Sequence, residues 1–168
     1  VECDGSGNLA AFGAWLTSNG NASASDNCGT INWSNDYDPA NWAPNTCPIT
    51  SSVTVEFTAD DGNGNSTSTT ATFIIEDTQA PVWATAADEL NTTVECSDTD
   101  ALTAAQALFP VANDDCDSDV SNIVKNSGPF VPSGCAQAGT YTNTWPVTDE
   151  CGKTSNIFTQ VITVEDTE

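Results

Sequence analysis

Val53, Val55 and Phe57 alternate with Thr54, Glu56 and Thr58. That is a period of two, the signature of a half-buried β-strand. Tyr141, Trp145 and Val147 continue the same pattern later in the chain. Each run is followed by turn residues, "DGNG" in one place and "ECGK" in the other, and each turn predicts a hairpin. The returning strands carry Ala71, Phe73 and Ile75 in the first case and Val161 and Val164 in the second. Two stretches change period. Asn8 is placed to cap a helix bearing Leu9, Phe12 and Leu16 on one face, stopped at Asn19-Gly20. Asp100 leads a second helix with Leu102, Ala105 and Phe109, stopped by Pro110. Each helix is expected to act as an amphipathic plug on an edge or end of a β-sandwich.

The two halves match each other. "DNC" at 26–28 answers "DDC" at 114–116, Cys47 answers Cys135, and "FTADDGNGN" answers "WPVTDECGK". All three share one offset, since 116 − 28, 135 − 47 and 145 − 57 each give 88. "VEC" occurs at 1–3 and again at 94–96, and "IEDT" and "VEDT" match with a one-residue slip. The expected organisation is therefore two tandem repeats, 1–79 and 80–168, both mainly β and each with one short helix. The second copy has a lead-in before its "VEC" that the first lacks. That difference predicts a piece taken from a longer tandem array, starting inside its first repeat.

Seven cysteines in a hydrophilic chain indicate an oxidising compartment. A zinc site is disfavoured, because there is no CxxC pair and no His. In an immunoglobulin-like sandwich, strand direction favours Cys96–Cys135 and Cys116–Cys151, one of the three pairings that four cysteines allow. The first copy has Asn63 where the second has Cys151. Its expected bridge is Cys3–Cys47 with Cys28 a free thiol, the alternative being Cys3–Cys28 with Cys47 free.

Charge narrows the partners. The chain's 168 residues hold 24 acids against two lysines, a formal charge of −22. Two lysines build no basic patch, which excludes nucleic acid and anionic membrane surfaces. No run is long or apolar enough to span a bilayer. Divalent cations are the natural counter-charge. Ca²⁺ takes six to eight oxygens from carboxylates, amides and backbone carbonyls, and the acidic loops offer that mixture. In the expected topology the last strand of the first repeat ends at the joint, where the "DDC" and "DEC" loops of the second repeat also lie. The expected interdomain ligands are Glu76, Asp77, Asp114, Asp115, Asp149 and Glu150. Asp26, Asp60 and Asp61 lie at the equivalent end of the first repeat. The competing reading is an acidic surface that serves solubility alone. "DGSGN" at 4–8 has the look of a calcium-loop start, but capping of the first helix explains it more simply. The carboxylate pairs Asp60-Asp61 and Asp114-Asp115 invite a glycosidase reading. Their turn-like setting argues against it, and no enzyme is expected.

"VECDGSGN", "LAAFGAWL", "DNCG", "FTADDGNGNS" and "IIEDTQAPV" together resemble the tandem repeats of SprB-like gliding-motility adhesins of the Bacteroidota. Those repeats are similar to hyalin-type (HYR-like), immunoglobulin-like modules. The resemblance covers nearly all of the first copy and, more loosely, the second through "TVEC", "DDC", "TDECGKTS" and "VEDT". It implies export by type IX secretion and display on the bacterial cell surface. It implies a role in surface attachment and gliding, contact with neighbouring repeats and an external surface or polysaccharide, and no catalytic residue. The competing function is a carbohydrate-binding module, with Trp42 in "DPANWAPN" as the best-placed stacking residue. Thr-rich runs raise ice binding, but they are too short for a flat ladder and reflect ordinary β propensity.

Overall fold

A computed structural model describes residues 1–42, 51–117 and 120–167. The chain divides into two compact units, Val1–Thr78 and Gln79–Glu168. Both are mainly β. No helix among the described residues is long and apolar enough to cross a membrane.

In the first unit, helix α1 (Leu9–Thr17) precedes strands β1 (Asn32–Asn35), β2 (Ser51–Asp60) and β3 (Ser66–Ile75). They form an antiparallel sheet in the order β1-β2-β3. Alternation decides which face is covered: Val55, Phe57 and Ala59 of β2, and Phe73 and Ile75 of β3, are buried. Against that face lies α1. Phe12 meets Phe73 with ring centroids 5.3 Å apart, and Trp15 meets Phe57 at 5.4 Å. Among the described residues the second layer of this unit is therefore a helix with its aromatics, not a second sheet or an edge plug. The helix's inward face also differs from expectation. Leu9 is 65 % exposed, and Trp15 takes the inward position beside Phe12. Asn8 stands at the N-cap in a left-handed conformation without capping through its side chain. Its amide instead donates to Glu2 O at 2.7 Å and accepts from Asp4 N at 3.2 Å. Asp4 accepts the Asn8 and Ser6 amides in turn, which holds its carboxyl below the usual carboxylate range. Beyond the helix, Gly20 has φ +63°, and a Cβ there would stand 2.6 Å from the Phe57 ring. Only glycine meets both conditions.

The second unit contains β4 (Val82–Trp83), β5 (Thr92–Glu95), α2 (Thr99–Gln106), β6 (Ala112–Asn113), β7 (Asn126–Ser127), β8 (Val131–Ser133), β9 (Cys135–Trp145) and β10 (Phe158–Glu165). The larger sheet runs β5-β10-β9-β7, with β8 also on β9, and β4 pairs with β6 separately. Phe158, Ile162 and Val164 of β10 face inward. Val161 points the other way, because positions three apart on a strand lie on opposite faces. Helix α2 lays Ala105 and Leu102 against Val94, Ile162 and Val164. Its cap is Asp98, whose side chain accepts from Ala101 N at 2.9 Å, and Asp100 falls in the first turn. Phe109 lies past the helix end and is exposed.

In both units the "VEC" segment runs parallel to the last strand. Glu2 bridges Glu76 in the first unit, and Glu95 pairs with Glu165 in the second.

Candidate metal centre

The acids fall into three recurring arrangements. In the first, an aspartate folds a loop over its own carboxylate. Asp26 Oδ1 accepts the amides of Cys28 and Gly29 at 2.7 and 2.8 Å. Asp114 Oδ1 accepts those of Cys116 and Asp117 at 2.8 and 2.9 Å.

In the second, an aspartate closes the hairpin turn. Asp61 accepts the Asn65 amide at 3.1 Å, while its own N–H donates to Asn65 O at 3.1 Å. Asp149 does the same with Lys153, at 2.8 and 3.0 Å. The repeat therefore persists at atomic level, since 114 − 26 and 149 − 61 both equal 88. The Asn65 side chain, with the amides of Asn63 and Asn65, holds the Asp61 carboxyl below the usual range.

The third arrangement accounts for the repeated Glu-Asp-Thr. Thr78 donates from N to Glu2 Oε1 at 2.9 Å and from Oγ1 to Glu2 Oε2 at 2.5 Å. Thr167 clamps Glu95 in the same way, with Oγ1 2.6 Å from Oε2. The Thr167 hydroxyl is the main reason the Glu95 carboxyl lies below its ordinary range. The threonine thus fixes the glutamate of "VEC", and the aspartate between comes alongside. A carboxylate oxygen of Glu2 lies within 4.8 Å of one of Asp77, and Glu95, Asp166 and Cys96 Sγ lie within 4.8 Å of one another.

The loop and turn aspartates of the second unit also converge, with Asp114 and Asp149 offering oxygens within 4.8 Å. Asp149 is only 5 % exposed, and its Oδ2 has no hydrogen-bond donor among the described residues. A buried, charged oxygen without a donor is costly unless a cation meets it. Asp117, also buried, accepts from Glu150 N through Oδ2 at 3.1 Å and ties the two loops together.

Of the expected ligands, Asp77 lies beside Glu2 in the first unit, and Asp114 lies beside Asp149 in the second. Glu76 is exposed and contributes chiefly backbone pairing to Cys3 and Val1. Asp115 and Glu150 are exposed. Asp26 and Asp61 border a groove in the first unit, while Asp60 is occupied with the Gly62 amide at 2.7 Å. Glu2, Glu95, Asp117 and Asp166 were not expected. The recurrence of "VEC" and "EDT" was the available signal for Glu2, Glu95 and Asp166, because the two motifs are partners.

Cysteine chemistry differs from the expected bridges. Cys3 is a buried thiol whose Sγ accepts the Gly5 amide at 3.5 Å, so it is not held in a Cys3–Cys47 bridge. Cys47 itself lies outside the described residues. Cys151 is disulfide-bonded, but Cys116 is not its partner. The loops of Cys116 and Cys151 are joined by the Asp117 hydrogen bond instead. Cys28 is an exposed thiol. The Cys96–Cys135 pairing falls on Cys135, whose side chain is not described.

Trp42, the residue expected to stack on a sugar, is half-buried: its ring meets Phe12 at a tilt, centroids 4.6 Å apart, and its Nε1 donates to Ser51 Oγ at 3.1 Å.

No family model matches the chain, and no curated protein matches it. Solved structures do. The chain is similar to Drosophila N-cadherin EC1-4, with 12 % identity and a TM-score of 0.39, over 83 % of this chain and 42 % of that one. It is similar to mouse clustered PcdhgC3 EC1-3, with 14 % identity and a TM-score of 0.34, over 68 % of this chain and 44 % of that one. The chain thus spans less than half the length of either. The likeness is a distant one, to tandem cadherin-type domains.

Proposed function

We propose that this chain is a stretch of an extracellular adhesive rod whose tandem units are joined through Ca²⁺. The observation that carries this reading is Asp149, a buried carboxylate with one oxygen lacking a donor among the described residues and a second carboxylate, Asp114, beside it. Each acidic end supplies two or three carboxylates, and a second end would add oxygens toward the six to eight that Ca²⁺ takes. The proposed set is Glu2 and Asp77 from one unit with Asp114 and Asp149 from the next, and with Glu76, Asp115 and Glu150 at the margin. Glu95 and Asp166 repeat the first half of that set, and Asp26 and Asp61 repeat the second.

The finer reading, attachment and gliding of a bacterial cell on type IX-exported repeats, rests on the sequence resemblance to SprB-like adhesins. No residue is assigned a catalytic role; Asp60, Asp61 and Asp114 each accept a backbone amide of their own turn.

The test is thermal melting with small-angle scattering, in excess Ca²⁺ and in excess chelator. We expect a Tm several degrees higher in Ca²⁺ and a more extended, less variable particle. Asp149→Asn should remove most of the Ca²⁺ response. Identical melts and scattering under the two conditions would sink the cation reading and leave the acids a solvating role.

A further inference from the structure

The sequence contains two Asn-Gly pairs, Asn19-Gly20 after helix α1 and Asn63-Gly64 in the hairpin turn between β2 and β3. Asparagine is chemically labile, and a following glycine puts no side chain in the way of its carboxamide. The two pairs stand in opposite surroundings. In the hairpin turn, aspartates take up the backbone amides on either side of Gly64. Gly62 N donates to Asp60 Oδ1 at 2.7 Å, Asn63 N to Asp61 Oδ1 at 2.7 Å, and Asn65 N to that same oxygen at 3.1 Å. Gly64 N has no hydrogen-bond partner among the described residues. Asn63 and Gly64 are both exposed, and a Cβ on Gly64 would meet nothing within 4 Å. Among the described residues the Asn63 carboxamide makes a single bond, from Nδ2 to Asp61 O at 3.2 Å.

Asn19-Gly20 is held. A Cβ on Gly20 would stand 2.6 Å from the Phe57 ring and 2.8 Å from Ala71 Cβ, and Asn19 O accepts the Ala22 amide at 3.0 Å. Rearrangement of that backbone has to displace core side chains. The second unit offers a third comparison. Its matching turn has Cys151 in place of Asn63 and keeps the glycine as Gly152. Gly152 is exposed, with nothing within 4 Å of a Cβ. The turn position is therefore open in a unit that follows another as well as in the first unit, and only the first carries the carboxamide.

We infer that Asn63 is a site of self-modification, converted through a cyclic imide to aspartate and isoaspartate. Gly64 N loses its proton to solvent base and attacks Asn63 Cγ. The new C–N bond closes a five-membered succinimide, the Cγ–Nδ2 bond breaks, and Nδ2 leaves as ammonia. Water then opens the ring. Attack at Cγ gives aspartate, and attack at the backbone carbonyl carbon gives isoaspartate, whose main chain runs through Cβ and Cγ. No oxidation or reduction occurs, and water is the sole co-reactant consumed. Either product adds a negative charge beside Asp61. The isoaspartate also lengthens the turn by one backbone carbon, between the two residues that close it, Asp61 and Asn65. The nucleophile is an amide nitrogen, so the reaction needs neither a bound cation nor the carboxylates that would hold one.

The test incubates the whole folded chain at mildly alkaline pH with chelator present, in water enriched in heavy oxygen. Chymotryptic peptide mapping by mass spectrometry follows each asparagine, and enzymatic methylation of isoaspartate reads the second product. We expect the peptide carrying Asn63 to gain the mass of an amide-to-acid exchange, to take up heavy oxygen and to accept methyl groups. Conversion at Asn63 should run at least about tenfold faster than at Asn19, which has to wait for local opening. Asn63→Gln, whose longer side chain disfavours ring closure, should stop the change at that peptide. Asn63 is exposed, so this variant should keep the parent's circular dichroism and melt. The same chain unfolded in urea should lose the difference between the two sites. An Asn63 that stays intact in the folded chain while both sites convert in urea would overturn the inference, because the turn would then protect it. Equal rates at Asn19 and Asn63 in the folded chain would overturn it as well, and so would a mass gain without heavy oxygen.

Discussion

The two units share a frame but fill it differently. At one cross-strand position of the first, Val55 faces Ala71. At the matching position of the second, Asn143 faces Gln160. The correspondence is exact in register, since 143 − 55 is 88 and 160 − 71 is 89, the extra residue being the slip before the last strand. Around the apolar pair stand Phe12, Trp15, Phe57 and Phe73, and aromatic packing holds α1 to the sheet. The polar pair works by hydrogen bonds. Asn143 Nδ2 donates to Gln160 Oε1 at 2.9 Å and to Gln106 Oε1 at 3.0 Å. Gln160 Nε2 donates to Leu90 O at 2.8 Å and Ala105 O at 3.1 Å. One glutamine thus pins both the lead-in and helix α2 to the sheet. Lys125 joins the cluster, donating to Gln106 O, with its ammonium 5.4 Å from the Trp145 ring. Partial desolvation lowers its pKa. Apolar packing and directional pinning are alternative ways to attach a helix, and the second fixes orientation more tightly.

That contrast can be broken experimentally. The largest effect is expected from Phe57→Ala, which empties the aromatic core of the first unit and should cost about 3–5 kcal/mol. Urea unfolding with exchange readout should place the loss in the first unit. Next comes Asn143→Ala. It strands Gln160 Oε1 and should cost about 1–3 kcal/mol. The double change Asn143→Val with Gln160→Ala copies the first unit's pair. It should recover part of that loss, because Asn143 Oδ1 already lacks a partner among the described residues. A double variant weaker than the sum of its singles would show that the pinning of Leu90 and Ala105 outweighs desolvation. Gly20→Ala has no counterpart contact in the second unit. It should destabilise the first by about 1–3 kcal/mol through the Phe57 overlap.

Acid should act on both units alike and most weakly. The carboxyls of Asp4, Asp61 and Glu95 have folded pKa values below their ordinary ones. Their contribution is fully present above the unfolded-state values, roughly pH 4. It disappears as pH falls through the lowered folded values. Urea midpoints should hold from neutrality to about pH 5 and decline below pH 4. Thr167→Val should reduce the decline in the second unit by freeing Glu95.

Much of this was legible in the chain. The two-residue alternation in β2, the hairpin turns and the 88-residue offset come straight from residue identities, since a strand's faces and a turn's chemistry are local. What escaped the reading was settled by tertiary partners. Asn143 and Gln160 look like surface residues until their hydrogen bonds to each other and to Ala105 are visible. The inward face of α1 shifted from Leu9 to Trp15 because the sheet offered ring edges at Phe57 and Phe73. Asp149 was legible as an acid in a turn, but its unpaired oxygen was not, because burial depends on the whole fold. Glu2 and Glu95 were passed over because each is fixed by a threonine more than 70 residues away.

The parallel pairing of "VEC" with the last strand has a mechanical consequence. A pull on the two ends of the segments paired at Val94–Val164 and Glu95–Glu165 reaches them from opposite directions. The same holds for the Glu2–Glu76 bridge. Tension is then carried as shear, with the hydrogen bonds of the pairing loaded together instead of being peeled apart in turn, and the Thr–Glu clamps sit at the end of the pairing where the chain leaves under load.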